Sequence, residues 1–429
     1  MTKLFHLERI EKEERIIVKG LGLNFSFYTN PKRYYYDFCK NSVFLFRFLD
    51  RVLPKCNTKA AFTSYPDFSD STYIFYDYLK KHNQDKFKKI FWLREVIDTT
   101  NDKVEHKSYY IHTLSGMWNL LTSKYIVHDH CSKFLDYISS DKHVCFNLWH
   151  GSPIKAIGCS DSGLTENTKR RYKYMSKHGY IFVSSDIYRV IFSSMFQMNP
   201  NRIPITGVVR TDVIFNKNQE AYIKEKFNLG GFDKIVLYAP TYKVRYSRVD
   251  VKVDFDNIFG FEYYNQEDFM QYLKTNNICL LIKPHPFEEK QFIKHLQDNN
   301  YDKCENIRML KFRDLVVSDI NINEIFNLTD LIISDFSSIT IDYAILNKPI
   351  LYLGNYLDKY KQNRGFILPD NFRILMPGEM ISDYDDLKDK IFRCCNDGKA
   401  NYTDSETDIL YRYKDGHSCD RIMEFIKKL

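Results

Sequence analysis

The 429-residue sequence has no uninterrupted apolar run near the roughly 20 residues that cross a bilayer, so no membrane-spanning helix is expected. Its first twenty residues, MTKLFHLERIEKEERIIVKG, break every short apolar run with charge and do not read as a secretory signal. No CxxC pair occurs among the ten cysteines, and several lie inside apolar runs such as VCFNLWH and ICLLIKP. Buried free thiols in a reducing compartment are therefore expected, in a soluble cytosolic chain. His128, Asp129, His130 and Cys131 could offer metal ligands, but no second ligand pair of that kind appears. They are read as a strand end, and no metal site is expected. The absence of GxxxxGK[ST] argues against a P-loop enzyme, and the absence of GxSxG leaves serine hydrolase chemistry unsupported. Neither a short-period repeat nor a low-complexity segment is visible. A hydrophobic fraction of 44% excludes a mostly disordered chain. The net charge of +7, from 62 basic and 55 acidic residues, is only a mild pointer to an anionic partner.

What is present is alternation. Short apolar runs rich in β-branched and aromatic residues fall at Lys89–Leu93, Tyr125–His128, Val144–Trp149, Tyr180–Val183, Ile235–Tyr238, Cys279–Ile282, Leu331–Ser334 and Ile350–Leu353. They predict buried parallel strands. Amphipathic stretches between them, including Ser71–Lys81, Asn167–Lys177, Asp186–Phe196, Asn265–Thr275 and Ser337–Leu346, predict helices. The fold class is α/β with crossover connections. The segment NPNRIPITG over 199–207 reads as a linker. It suggests domains at 1–204 and 205–405, with a final helix in 406–429 crossing back to the first. The basic run Lys169–Lys177 reads as a solvated helix face, with a polyanion or membrane contact as the alternative.

The unusual polar residues cluster at the carboxyl ends of these strands, where open α/β sheets bind ligands. Val144–Trp149 runs directly into His150-Gly151-Ser152-Pro153-Ile154-Lys155. Gly151 permits a tight turn, and Pro153 suits a helix start. Cys279–Ile282 runs into Lys283-Pro284-His285-Pro286, and Leu331–Ser334 into Asp335-Phe336-Ser337-Ser338-Ile339-Thr340. Ile235–Tyr238 is followed by Ala239-Pro240-Thr241. Ser337 and Ser338 would place hydroxyls and free N–H groups at a helix start, which suits phosphate or a simple cap. Lys283 could add a full charge. His150 or His285 can act as general base or as cationic donor.

With those residues in view, the sequence resembles the CDP-glycerol glycerophosphotransferases, the teichoic-acid polymerases and primases and their capsule-polymer relatives. The matching segments are NLWHGSPIKAIG (147–158), GVVRTDVI (207–214), VLYAPTYK (236–243), IKPHP (282–286), IISDFSSITIDY (332–343) and 348–366, ending in RGF. The resemblance implies a GT-B fold, two Rossmann-like domains facing across a cleft with the nucleotide on the C-terminal one. It implies transfer of a polyol phosphate, as glycerol or ribitol phosphate, from a CDP-activated donor to an acceptor hydroxyl, releasing CMP. Carried over, His150 is the general base, and His285 donates to the diphosphate. Ser337, Ser338, Thr340, Lys283, Arg210 and Arg364 lie toward the donor phosphates. Glu324, Asp335 and Thr241 lie toward the nucleotide or ribose, and Gly151, Ser152 and Lys155 toward the acceptor. No cofactor is required, and magnesium is compatible rather than necessary.

The implied partners are a CDP-polyol donor and a polyol-phosphate or glycan acceptor, lipid-linked or free, with no nucleic acid. The implied setting is the bacterial cytoplasm, with peripheral contact to the inner membrane face or to a partner protein of polymer synthesis. Two departures are mild: lysine at 283, where many members have arginine, and serine at 152, where relatives often have threonine. No long targeting or acceptor-processing domain precedes residue 60, so a nearly bare catalytic core is expected. Two other readings stay open: a GT-B glycosyl- or sugar-phosphate transferase using another nucleotide donor, and a non-catalytic polyanion-binding protein.

Overall fold

The computed structural model describes residues 6–10, 15–20, 23–28, 31–82, 85–95, 107–160, 164–241, 257–286, 288–355, 357–363 and 365–429. Three strands near the N-terminus, β1 (His6–Ile10), β2 (Arg15–Gly20) and β3 (Leu23–Tyr28), form an antiparallel sheet. The next six are β4 (Cys56–Thr63), β5 (Lys89–Arg94), β6 (Ser108–Tyr110), β7 (Ser123–His128), β8 (Val144–Asn147) and β9 (Gly179–Ile181). They make a sheet in the order β6-β5-β4-β7-β8-β9. A third sheet contains β10 (Lys234–Tyr238), β11 (Ile278–Ile282), β12 (Ile307–Met309), β13 (Leu331–Ser334), β14 (Ile350–Leu353) and β15 (Glu379–Ile381). Its order is β12-β11-β10-β13-β14-β15, parallel throughout. Counted from its own first strand, each six-stranded sheet runs 3-2-1-4-5-6, the doubly wound order, with its switch point between first and fourth strands.

All eight strands expected from the apolar runs are present. Their burial explains the continuous apolar pattern. In the third sheet, Ile235, Leu237, Cys279, Leu281, Ile332, Ile350 and Tyr352 enter one core. The alternate residues Val236, Tyr238, Leu280, Ile282, Leu331, Ile333, Leu351 and Leu353 enter a second core on the opposite face. A strand covered on both sides has no solvent face and so no polar alternation. The strand expected over 180–183 is Gly179–Ile181, and two further boundaries differ from expectation at polar turns. The strand expected over 144–149 ends at Asn147, whose side-chain oxygen accepts from Trp149 N at 2.9 Å. The helix expected over 337–346 is the shorter Ile339–Ala344, because Ser337 and Ser338 stay in the connecting loop.

The chain divides into two compact units, Met1–Phe146 and Asn147–Leu429. Sheet membership changes later, between Ile181 and Lys234, an interval that contains the 199–207 segment. In the first unit, buried Asp50 accepts from Ser139 N and Ser140 N (both 2.7 Å), His143 Nε2 (2.6 Å) and Lys55 Nζ (2.7 Å). Burial works against its charge, but these donors hold the carboxyl well below the usual carboxylate range. At the end of β7, His130 Nδ1 meets Asp129 Oδ1 at 2.9 Å, and Nε2 lies 3.8 Å from Glu95 Oε1. Burial opposes the imidazolium, yet the two carboxylates raise it to about 10. In the second unit, the C-terminal helix Ser418–Lys427 returns to the 180–212 region. Phe425 packs edge-on against Tyr180 and Phe182, and Asp212 accepts from Ser418 N and Cys419 N at 3.2 and 3.0 Å. All ten cysteines are free thiols, seven of them buried.

Candidate active site

Several candidate residues lie just past the carboxyl ends of the third sheet's strands: Thr241 after β10, Lys283 and His285 after β11, and Asp335, Ser337 and Ser338 after β13. After β13, the chain leaves the sheet through Asp335. This buried carboxylate accepts from Thr241 N (3.0 and 3.2 Å) and from Thr241 Oγ1 (2.6 Å). Ser334 Oγ donates to Ala239 O at 2.6 Å. The loops after β10 and β13 are thus stapled together, and the polar atoms of Asp335 and Thr241 are spent largely on each other. Phe336 points inward onto Tyr360 and Phe366, with ring centroids 4.9 and 5.2 Å away. That anchorage leaves Ser337 and Ser338 half-exposed at the start of the next helix. Ser338 makes no side-chain cap, and Ser337 Oγ reaches Ile339 N only at 3.5 Å. Thr340 is buried and donates to Ser337 O at 2.8 Å, so it shapes the loop from beneath.

The turn after β8 is built by a different device. Trp149 has φ 50°, uncommon for a bulky side chain, and the Asn147 bond holds the turn. The His150 ring is exposed and stacks on the Trp149 indole at 4.5 Å. Gly151 has φ 129°, and a Cβ there would lie 2.6 Å from Arg210 Nη2 and 3.1 Å from Ser338 Oγ. Both the backbone angle and the space demand glycine. The turn bearing His150 and the loop bearing Ser338 therefore meet at Gly151. Ser152 is buried beside the Tyr188 hydroxyl. Next in the chain, Ile154 O accepts from Ile367 N (3.0 Å) and Ala156 N donates to Gly365 O (3.1 Å), with Lys155 Nζ 5.6 Å from the Tyr360 ring centroid. This pairing ties 154–156 to 365–367. Arg364 itself lies outside the described residues.

Lys283 and His285 follow β11, one strand from β10, in the register Tyr238↔Ile282. Lys283 Nζ donates to Pro284 O at 3.0 Å. Burial lowers its ammonium to about 8, with Glu289 opposing, so it is largely charged at neutral pH. His285 is half-exposed between two prolines, and its carbonyl accepts from Glu288 N at 2.9 Å. Glu324 is the N3 residue of a capping box and accepts from Asn321 N at 2.7 Å. Its burial raises the carboxyl. Arg210 bonds the His150 carbonyl and the carboxylate of Asp342. Asp342 was not among the residues singled out from sequence, although a carboxylate in an apolar stretch such as SSITIDY needs a cationic partner if buried. Among the described residues, no group of three or more histidine, cysteine, aspartate or glutamate side chains could hold a metal ion.

The profile of the family described as CDP-Glycerol:Poly(glycerophosphate) glycerophosphotransferase matches residues 45–428. The chain belongs to this glycerophosphotransferase family. As a member it is an enzyme that transfers a polyol phosphate from a CDP-activated donor. It is 27% identical over 328 residues to the teichoic acid glycerol-phosphate primase of Bacillus subtilis, covering 74% of this chain and 77% of that protein. It is also 27% identical over 289 residues to the teichoic acid ribitol-phosphate polymerase TarL of Staphylococcus aureus, covering 64% of this chain and 46% of that one. A structure of the wall teichoic acid polymerase TagF superposes with a TM-score of 0.68 at 18% identity, over 94% of this chain and 98% of that chain. This likeness shows the fold, which is the GT-B class expected from the motifs. No helix among the described residues of this glycerophosphotransferase is long and apolar enough to cross a membrane.

Proposed function

We propose that this glycerophosphotransferase extends or primes a teichoic-acid-type or related surface polymer, moving glycerol phosphate or ribitol phosphate onto an acceptor hydroxyl. The observation that carries the reading is the meeting of the His150 turn with the Ser338 loop at Gly151. The turn that bears His150 thus lies beside half-exposed serines at a helix start, which supports a role for His150 as proton acceptor. His150 takes the proton from the acceptor hydroxyl, whose oxygen attacks the distal phosphorus of the CDP-polyol. The bond from that phosphorus to the bridging oxygen breaks, and the electron pair leaves on CMP. Lys283, His285 and the N–H groups and hydroxyls at Ser337 and Ser338 supply positive potential to the leaving and equatorial oxygens. No step is assigned to a metal ion, and magnesium is compatible with the scheme. Gly151, Ser152 and Lys155 border the acceptor side. The basic helix Glu166–His178 is the candidate contact for a phosphate-bearing acceptor or the anionic membrane face.

A donor panel tests the reading. Release of CMP is expected with CDP-glycerol or CDP-ribitol and not with UDP-sugars; no CMP from either CDP-polyol overturns it. A second prediction follows from Lys283. Donor affinity is expected to hold at neutral pH and to weaken as pH rises through about 8, because the ammonium loses its proton there. Equilibrium titration with CDP-glycerol across that range, repeated with Lys283→Gln, checks it. An identical profile in the variant removes Lys283 from the donor site.

A further inference from the structure

Arg210 resembles a donor-phosphate ligand in sequence, yet its guanidinium is engaged by the protein. Nη1 donates to His150 O at 2.5 Å, and Nη2 pairs with Asp342. Asp342 is fully buried, and Arg210 is only 13% exposed. A buried carboxylate without a partner costs several kcal/mol, so Asp342 holds the guanidinium firmly. The guanidinium is a planar, rigid fork. Once one terminal nitrogen is fixed on Asp342, the direction of the other is set, and it points at the His150 carbonyl. The arginine backbone is held too, because its own carbonyl accepts from Asn323 Nδ2 at 2.9 Å. Gly151 lies directly on the guanidinium, where a Cβ would stand 2.9 Å from Cζ.

We propose that Arg210, fixed by Asp342, is a positioning residue that clamps the His150–Gly151 backbone against Ser338 and so sets the distance between base and donor. The clamp explains why the turn after β8 and the loop after β13, more than 180 residues apart in the chain, keep one geometry. It also places Asp342 in the machinery without contact to substrate. The kinetic part of the proposal rests on the phosphotransfer reading; the structural part does not.

Two variants decide it. Asp342→Asn keeps the shape and leaves Arg210 charged but unclamped. Arg210→Lys keeps the charge that neutralises Asp342 but loses the fork. Both are expected to lower kcat by about 10- to 100-fold, as a misplacement near 1 Å does, while donor Kd changes by less than about twofold. If Arg210 were a phosphate ligand, Asp342→Asn would keep kcat and hold or tighten donor binding, and that result overturns the clamp. Hydrogen exchange supplies a readout independent of turnover. Amides of Trp149–Ser152 are expected to lose protection in both variants while β13 keeps its own. Unchanged protection at Trp149–Ser152 overturns the proposal. Should Asp342→Asn fail to fold, Arg210→Lys carries both measurements. A wild type that turns over no CDP-polyol sinks the phosphotransfer reading, and the exchange result still decides the clamp.

Discussion

Replacing His150 by alanine is expected to lower turnover by about 10²- to 10⁴-fold, the range of a positioned general base, with donor affinity nearly unchanged. The substitution is unusually clean in this fold. The contact between His150 and Arg210 runs through the His150 carbonyl, which alanine retains. The ring is exposed and stacks on the face of Trp149. The loss therefore reports the imidazole rather than the turn. Steady-state kcat with CDP-glycerol or CDP-ribitol, together with direct titration of the donor, checks it. Near-normal turnover would remove His150 from the base role. A parallel loss of donor affinity would place its ring on the donor instead.

The second large effect is expected at His285. His285→Ala should lower kcat by about 10²- to 10³-fold, the usual consequence of deleting one preorganised donor at a developing charge. Donor affinity should weaken as well, because the diphosphate carries charge before the reaction as well as during it. That joint loss separates His285 from His150. The flanking prolines restrict the backbone from which the ring projects. A loss in kcat with unchanged donor affinity would move His285 off the diphosphate and toward the acceptor.

Much of this was legible in the sequence. Continuous apolar runs marked the buried strands, because a strand covered on both faces has no reason to alternate. Histidine, lysine and serine just beyond those runs marked the strand ends, and the segments there carried the family likeness. Other features were not legible. The three antiparallel strands before residue 30 lacked a strong apolar run. The strand expected over 144–149 stopped two residues early, because a side-chain bond from Asn147 interrupts it, and apolar character does not report such a bond. For Asp335, Thr241, Glu324 and Thr340, sequence placed the residues near the site without revealing their partners. The structure commits Asp335 to Thr241, Glu324 to a helix cap and Thr340 to a carbonyl beneath the loop.

The sequence by itself therefore determined the α/β class, the strand edge at which the candidate residues lie and the residue types available there. These follow from local pattern, since periodicity and turn residues act over a few positions. Only the tertiary structure decided which charges are consumed within the protein. Arg210 and Asp342 lie 132 positions apart, and neither local spacing nor composition pairs them. Folding buries the carboxylate, burial demands a cation, and the rigid guanidinium carries that demand to the His150 backbone.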